Sequence, residues 1–163
     1  MLFVVGLRRA FRDSGRDSAL LDFALGAMIV SVAIEIASLS LASAAAWIAD
    51  NGGSEDAIVA LDAASSIMFL VMIAPIGVAV LASSTEMVSS RLFRGWIGWL
   101  GVAAGVLMVV GGFFAAAALG DDGDFKELGE QPFAIGAVVF WIWMLVTAIV
   151  LWRTRPQPPS AGT

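Results

Sequence analysis

Glu35 is the residue whose type and position most directly suggest chemistry, because it lies in the middle of a long apolar run. A carboxyl group inside a membrane is costly and commonly marks an ion or proton pathway or a contact between helices. At helical spacing, Ser31 and Ser38 fall on the same face as Glu35. We expect this stripe to face the interior of a helical bundle, where small side chains allow helices to approach closely.

The surroundings of Glu35 leave its role open. No Lys, Arg or His lies at the same depth in any other apolar run, which favours a protonated carboxyl group that hydrogen-bonds to serine or backbone groups. One interpretation is therefore a neutral hydrogen bond between helices. A second is a site that handles protons or cations, and a third is a place in the seam of an oligomer.

A second acid, Asp62, begins a polar stripe in the next apolar run together with Ser65 and Ser66. It lies about two helical turns from the outer end of that run. It either has a structural role near the positive end of its helix or lines a polar cavity that opens outward. The helical rise separates it from Glu35 by about 14 Å in depth, so we expect no direct carboxylate pair.

The composition indicates the elements that position these acids. Hydrophobic residues make up 60% of the 163 residues and charged residues 14%, with a mean hydropathy of +0.91, whereas soluble domains are about 25% charged. Four apolar runs reach the roughly 20 residues that cross a bilayer, and isolated spanning segments must be helical. The sequence predicts an all-α fold, a four-helix transmembrane bundle, with helices at residues 18–49, 57–83, 95–119 and 133–152.

The distribution of charge predicts the orientation and the flanking segments. All basic residues except Lys126 fall on one side of the four-span arrangement, so both the N-terminus and the C-terminus are expected to be cytoplasmic. We divide the chain into a basic, amphipathic cytoplasmic segment (residues 1–17), the transmembrane domain (18–153) and a disordered cytoplasmic tail (154–163). Asp22, near the inner interface, is expected to pair with Arg91 or Arg94.

The first residues have two interpretations. A short apolar run, residues 1–7, precedes four arginines. It is either an amphipathic segment on the inner leaflet or the cytoplasmic end of a further helix whose beginning lies upstream.

Three glycines, a proline and two tryptophans predict packing. Gly98, Gly101 and Gly105 are spaced for close helix contact, either within the bundle or with another subunit. Pro75 predicts a kink around residues 74–77. Trp141 and Trp143 point to different faces of the fourth helix, so at least one should pack inside or against a partner. We therefore interpret these glycines, the proline and the tryptophans as residues with a structural role in helix packing.

Several classes of function are excluded or unsupported. The chain has no cysteine and no histidine, which removes thiol catalysis and the commonest general base and zinc ligand. Its net charge of −5 argues against a nucleic-acid partner. No phosphate-binding, dinucleotide, nucleophile or metal motif is present, so we predict no catalytic residue, cofactor or metal site.

The stretch from Ser90 to Leu107, the Trp141-Ile142-Trp143-Met144 segment and Leu61-Asp62-Ala63 together carry a resemblance. The chain resembles uncharacterised bacterial multi-pass membrane proteins of a domain-of-unknown-function family. The resemblance implies a helical membrane fold in the bacterial plasma (inner) membrane and transfers no activity. Members often carry an additional leading helix, which fits the second interpretation of residues 1–7.

Two classes of function follow. The first is a non-enzymatic integral membrane protein, an interaction or assembly subunit that contacts the lipid bilayer and either a copy of itself or another membrane protein. The alternative is a small proton- or cation-linked transporter or channel component that uses Glu35. Replacing Glu35 by Gln separates them, because an amide can substitute for a neutral carboxyl group in a hydrogen bond but carries no titratable proton.

Overall fold

The structure is a computed structural model that describes residues 2–90, 93–117 and 124–153, with side chains described outside residues 114–133. The described chain is helical and contains no strand, which confirms the all-α prediction. Its helices are α1 (Leu2–Asp13), α2 (Ala19–Asp50), α3 (Glu55–Val71), α4 (Ile73–Ser90), α5 (Gly95–Ala117) and α6 (Asp124–Arg153).

The helices provide the four predicted membrane spans. Stretches long and apolar enough to cross a membrane are Ala19–Asp50, Glu55–Ser90, Gly95–Phe113 and Ala134–Arg153. The second combines α3 and α4, and it continues past the predicted end at residue 83 because α4 packs along α5 and Met87 is fully buried there. The expected third-helix end at 118–119 and the expected tail at 154–163 lie outside the described residues.

A break at Met72 separates α3 from α4. Pro75 has no backbone N–H, and its ring crowds the carbonyl group four residues earlier, that of Val71. The interruption therefore falls just before the proline, at Met72, rather than within the predicted residues 74–77. The N–H of Met72 still donates to the carbonyl of Met68 at 3.0 Å, so α3 ends with its last turn closed.

The spans pack in a row. α2 contacts α3 and α4, α4 contacts α5, and α5 contacts α6. The starts of α2 and α5 and the ends of α4 and α6 share one end of the bundle, which we call the arginine end. Among the described residues all the arginines lie there: Arg8, Arg9, Arg12, Arg16, Arg94 and Arg153.

The short helix α1 packs lengthwise between the two outer spans, against α2 and α6. One face is buried, through Val4, Leu7 and Phe11 at helical spacing. Its first turn reaches the bundle interior, where the rings of Phe3 and Trp143 lie 5.2 Å apart edge to face. Its last turn lies at the arginine end, where the rings of Phe11 and Phe93 are 6.0 Å apart.

Candidate functional site

Reciprocal serine hydrogen bonds join α2 to α3. The hydroxyl of Ser38 donates to the carbonyl of Ser65 at 2.9 Å, and the hydroxyl of Ser65 donates to the carbonyl of Ser38 at 3.0 Å. Both side chains are buried. Small residues permit this close backbone approach, and each hydroxyl finds an acceptor within the protein rather than in lipid. The pair therefore acts as a polar clasp between the two helices.

One face of α2 carries a second contact at the helix break. Ser31 is 2% exposed and its hydroxyl donates to the carbonyl of Met72 at 3.3 Å. Backbone groups near a proline in a membrane helix lose partners within the helix, and neighbouring serine hydroxyls commonly satisfy them. Ser31 therefore supports the break that Pro75 creates. Together with the Ser38–Ser65 pair, it sets the antiparallel register of α2 against α3 and α4.

Glu35 does not share the buried position of these serines. Contrary to the expected inward-facing stripe, its side chain is exposed on the surface of the chain. Within the described residues it has no hydrogen-bond or ion-pair partner. Its neighbours Ile36 and Leu39 are 60% and 61% exposed. At 1.5 Å per residue, Glu35 is more than about 20 Å from either end of α2, so this carboxyl group projects from the hydrophobic middle of the helix.

Asp62 and Ser66 are also exposed, whereas Ser65 is buried in the clasp. The register set by the serine contacts places Glu35 level with Met68, so Asp62 is about 9 Å away along the helix axis. This is nearer than the expected 14 Å, because α3 begins at Glu55 rather than at the predicted residue 57 and Asp62 therefore lies deeper along it. The two acids form no direct pair, and they do not constitute a carboxylate dyad.

The three predicted packing glycines lie where α5 meets α4 and α6. A methyl group added at Gly105 would approach the Gly77 carbonyl oxygen at 2.9 Å, and one at Gly98 would approach the backbone nitrogen of Val88 at 3.1 Å. A methyl group at Gly101 would overlap Ser84 Oγ and Trp143 Nε1. Because glycine has only a hydrogen atom as its side chain, α4, α5 and α6 can pack closely at these positions.

Four buried side chains of α4 and α6 carry polar atoms without a partner among the described residues, and two of them, Ser84 and Trp143, lie beside Gly101. The side chains of Ser83, Ser84, Trp143 and Thr147 are at most 1% exposed, and their polar atoms have no hydrogen-bond partner in the described structure. The sequence pattern indicated that at least one of Trp141 and Trp143 would pack inside or against a partner, and Trp143 is buried within the bundle, while Trp141 is 62% exposed. It did not indicate that Trp143 would meet Ser84 beside Gly101, because the three residues belong to different helices.

Polar contacts at the arginine end fasten α1 and α4 to the start of α2. Asp22 pairs with Arg8 at 2.6 Å rather than with Arg94, and Arg91 lies outside the described residues. Ser18 caps α2, and its hydroxyl donates to Glu86 Oε2 at 2.7 Å. No group of three His, Cys, Asp or Glu side chains in the described part of the chain could hold a metal ion. These contacts are consistent with a structural role.

Comparison with known protein families identifies the family of the chain. A family model described as a domain of unknown function, DUF4386, matches residues 1–148. The chain belongs to this family. Searches of curated proteins and of solved structures found no match. The DUF4386 domain includes α1, the serine clasp, Glu35 and the α5 glycines, and it confirms the resemblance to multi-pass membrane proteins of unknown function.

Proposed function

We propose that this DUF4386 protein is a non-enzymatic assembly subunit that binds another transmembrane helix through the outer face of α2. The observation that carries the proposal is the exposure of Glu35 in the hydrophobic middle of that helix. A carboxyl group that faced acyl chains there would be strongly unfavourable, and such groups almost always face protein or a water-filled cavity. A neighbouring helix would supply the missing hydrogen-bond partner.

The surface around Glu35 has the composition of a helix interface. Small exposed side chains on the same side of α2 as Glu35 include Ser43 and Ala46, which lie about 80° and about 20° from it around the helix. The hydroxyl of Ser43 donates to the carbonyl of Leu39, one turn earlier in α2, at 2.8 Å, so it leaves no donor unsatisfied against a partner. Small residues of this kind let a second helix backbone come close.

We also propose the placement of the protein in a bacterial plasma membrane with the arginine end cytoplasmic. The described arginines share that end, whereas Asp50, Glu55 and Asp56 lie at the opposite end. The positive-inside rule then directs both termini to the cytoplasm.

Cysteine cross-linking tests the proposal directly, because the chain has no cysteine of its own. We expect Ile36→Cys to cross-link to a second copy or to one defined partner in native membranes. The control is Phe113→Cys on α5, a position that is 74% exposed. The adjacent Gly112 packs against Ile73, next to the Met72 that Ser31 contacts, so the control lies about one turn from the level of Glu35.

Equal cross-linking of both variants would indicate random encounters and contradict the proposed interface. Native mass spectrometry of gently extracted protein then identifies the molecule that binds the outer face of α2. A stoichiometric second protein would support a hetero-assembly and a defined homo-oligomer would support self-association, whereas a monomer that carries only lipid would overturn the proposal.

A further inference from the structure

A long apolar groove separates α1 from α6 on the surface of the bundle. Its volume is about 710 Å³, and its walls include Leu2 and Gly6 on one side and Leu145 and Ala148 on the other. Leu2 and Leu145 are 89% and 63% exposed, so the groove is open to the surroundings. The volume is in the range of about 300–1,000 Å³ found for small-molecule pockets.

The groove has the length of one leaflet. Along α6 it extends from Trp141 to Trp152, which is about 16 Å at the helical rise. The hydrocarbon core is about 30 Å thick, so the groove covers roughly half of it. Since α6 runs toward the arginine end, the groove extends from the level of Trp141, near the bilayer centre, to Trp152 at the arginine end.

The end of the groove at Trp152, which we call its mouth, is followed in both helices by an arginine that lies just beyond the lining residues. Leu2, Gly6 and Arg9 follow one another at helical spacing on the same side of α1, and Arg153 directly follows Trp152. The Nε atom of Arg9 is 3.9 Å from Asp13 Oδ2, a long contact with both side chains exposed. Arg153 is exposed and makes no ion pair with any described residue. Both guanidinium groups are available to an anion from the membrane surface.

We propose that the groove between α1 and α6 binds one anionic phospholipid. An acyl chain lies against Leu2, Gly6 and Ala148, and the phosphate group lies near Arg9 and Arg153. Charge complementarity and the one-leaflet length select this occupant, since a spanning helix would need neither a basic mouth nor a groove that ends halfway. The face proposed for protein contact belongs to α2, so this lipid site is independent of the proposed function.

Native mass spectrometry of delipidated protein tests the site with two lipids that share the same acyl chains. The two lipids are palmitoyl-oleoyl phosphatidylglycerol, which is anionic, and palmitoyl-oleoyl phosphatidylcholine, which is neutral overall. We expect phosphatidylglycerol to bind as a single adduct with an affinity about tenfold to thirtyfold higher, because two arginines attract its anionic headgroup. Replacing both arginines, with Arg9→Gln and Arg153→Gln, should remove the preference. The matched control, Arg16→Gln with Arg94→Gln, changes two exposed arginines at the same end and should keep it.

A second pair of variants tests the apolar part. Gly6→Leu should fill the groove and abolish the adduct, while Gly26→Leu should retain it. Neither glycine has an atom within 4 Å of the position of an added Cβ, so both variants should fold, and both replace a helical glycine. Equal retention of the two lipids, or equal loss in both leucine variants, would overturn the proposal. If Gly6→Leu instead released a second protein that co-purifies with the chain, the groove would bind protein rather than lipid, and this result would also overturn the proposal.

Discussion

The hydroxyls of Ser38 and Ser65 donate to each other's backbone carbonyls across the contact between α2 and α3, at 2.9 and 3.0 Å. The two hydroxyl oxygens are themselves 3.2 Å apart. This relationship determines which residues of α2 can face outward. With Ser31 and Ser38 directed toward the neighbouring helices, Glu35, which lies between them, is left at the outer edge of the contact.

The serine clasp should behave as a coupled unit. Ser38→Ala and Ser65→Ala should each lower the free energy of unfolding by about 0.5–1.5 kcal/mol, because each removes one buried hydrogen bond. The double variant should cost less than the sum of the two, measured by unfolding in mixed detergent micelles. Ser40→Ala is the control, since its exposed hydroxyl bonds only within α2. Strictly additive losses would show that the two serines act separately.

Substitution of Glu35 should distinguish assembly from proton-linked transport. Glu35→Gln should leave the cross-linking of Ile36→Cys nearly unchanged, because an amide hydrogen-bonds much as a neutral carboxyl group does. Glu35→Leu should weaken it by removing the polar contact. Proton flux into vesicles that is lost in Glu35→Gln while cross-linking persists would favour the transport alternative instead.

A small side chain should not be tolerated at Gly101. Gly101→Ala should destabilise the protein by about 1–3 kcal/mol, since the added methyl group would overlap Ser84 Oγ and Trp143 Nε1. At Gly26, where an added Cβ meets no atom within 4 Å, the same change should stabilise by up to about 1 kcal/mol through helix propensity. Thermal unfolding in detergent measures both. Similar shifts of Tm for the two variants would contradict the close packing at Gly101.

The unpartnered hydroxyl of Thr147 should be dispensable. Thr147 is fully buried and its hydroxyl has no partner among the described residues. Thr147→Val keeps the shape and removes the cost of burying the hydroxyl, so we expect a gain of about 1–3 kcal/mol in stability. Thr85→Val is the comparison, because that exposed hydroxyl donates to the Leu81 carbonyl at 2.8 Å. A loss of stability in Thr147→Val would show that the hydroxyl has a bound partner, such as an internal water.

The membrane class, the number of spans and most helix limits could be predicted from the sequence, although α4 continues to Ser90 rather than residue 83 and α6 begins at Asp124 rather than residue 133. These properties depend on the length of each apolar run and on the backbone hydrogen bonds that lipid forces to be internal. The burial of Ser31 and Ser38 on a single face of α2 was also predictable, because their separation of two helical turns puts them on one side of the helix. Pro75 indicated a break, and only its position, at Met72, differed from the prediction.

The tertiary structure decided whether the Glu35 side chain faces the interior of the bundle or its outer surface. In a sequence dominated by apolar residues, a hydrophobic pattern does not distinguish a face covered by lipid from one covered by protein, because both are apolar. The row of spans, with α2 at one edge and α6 at the other, leaves Glu35 exposed and lets α1 fill the space between the two edges. The convergence of Ser84, Gly101 and Trp143 has the same origin: each comes from a different helix, and no local pattern relates their positions. The sequence alone thus determined what each helix is, and packing between helices determined which atoms meet.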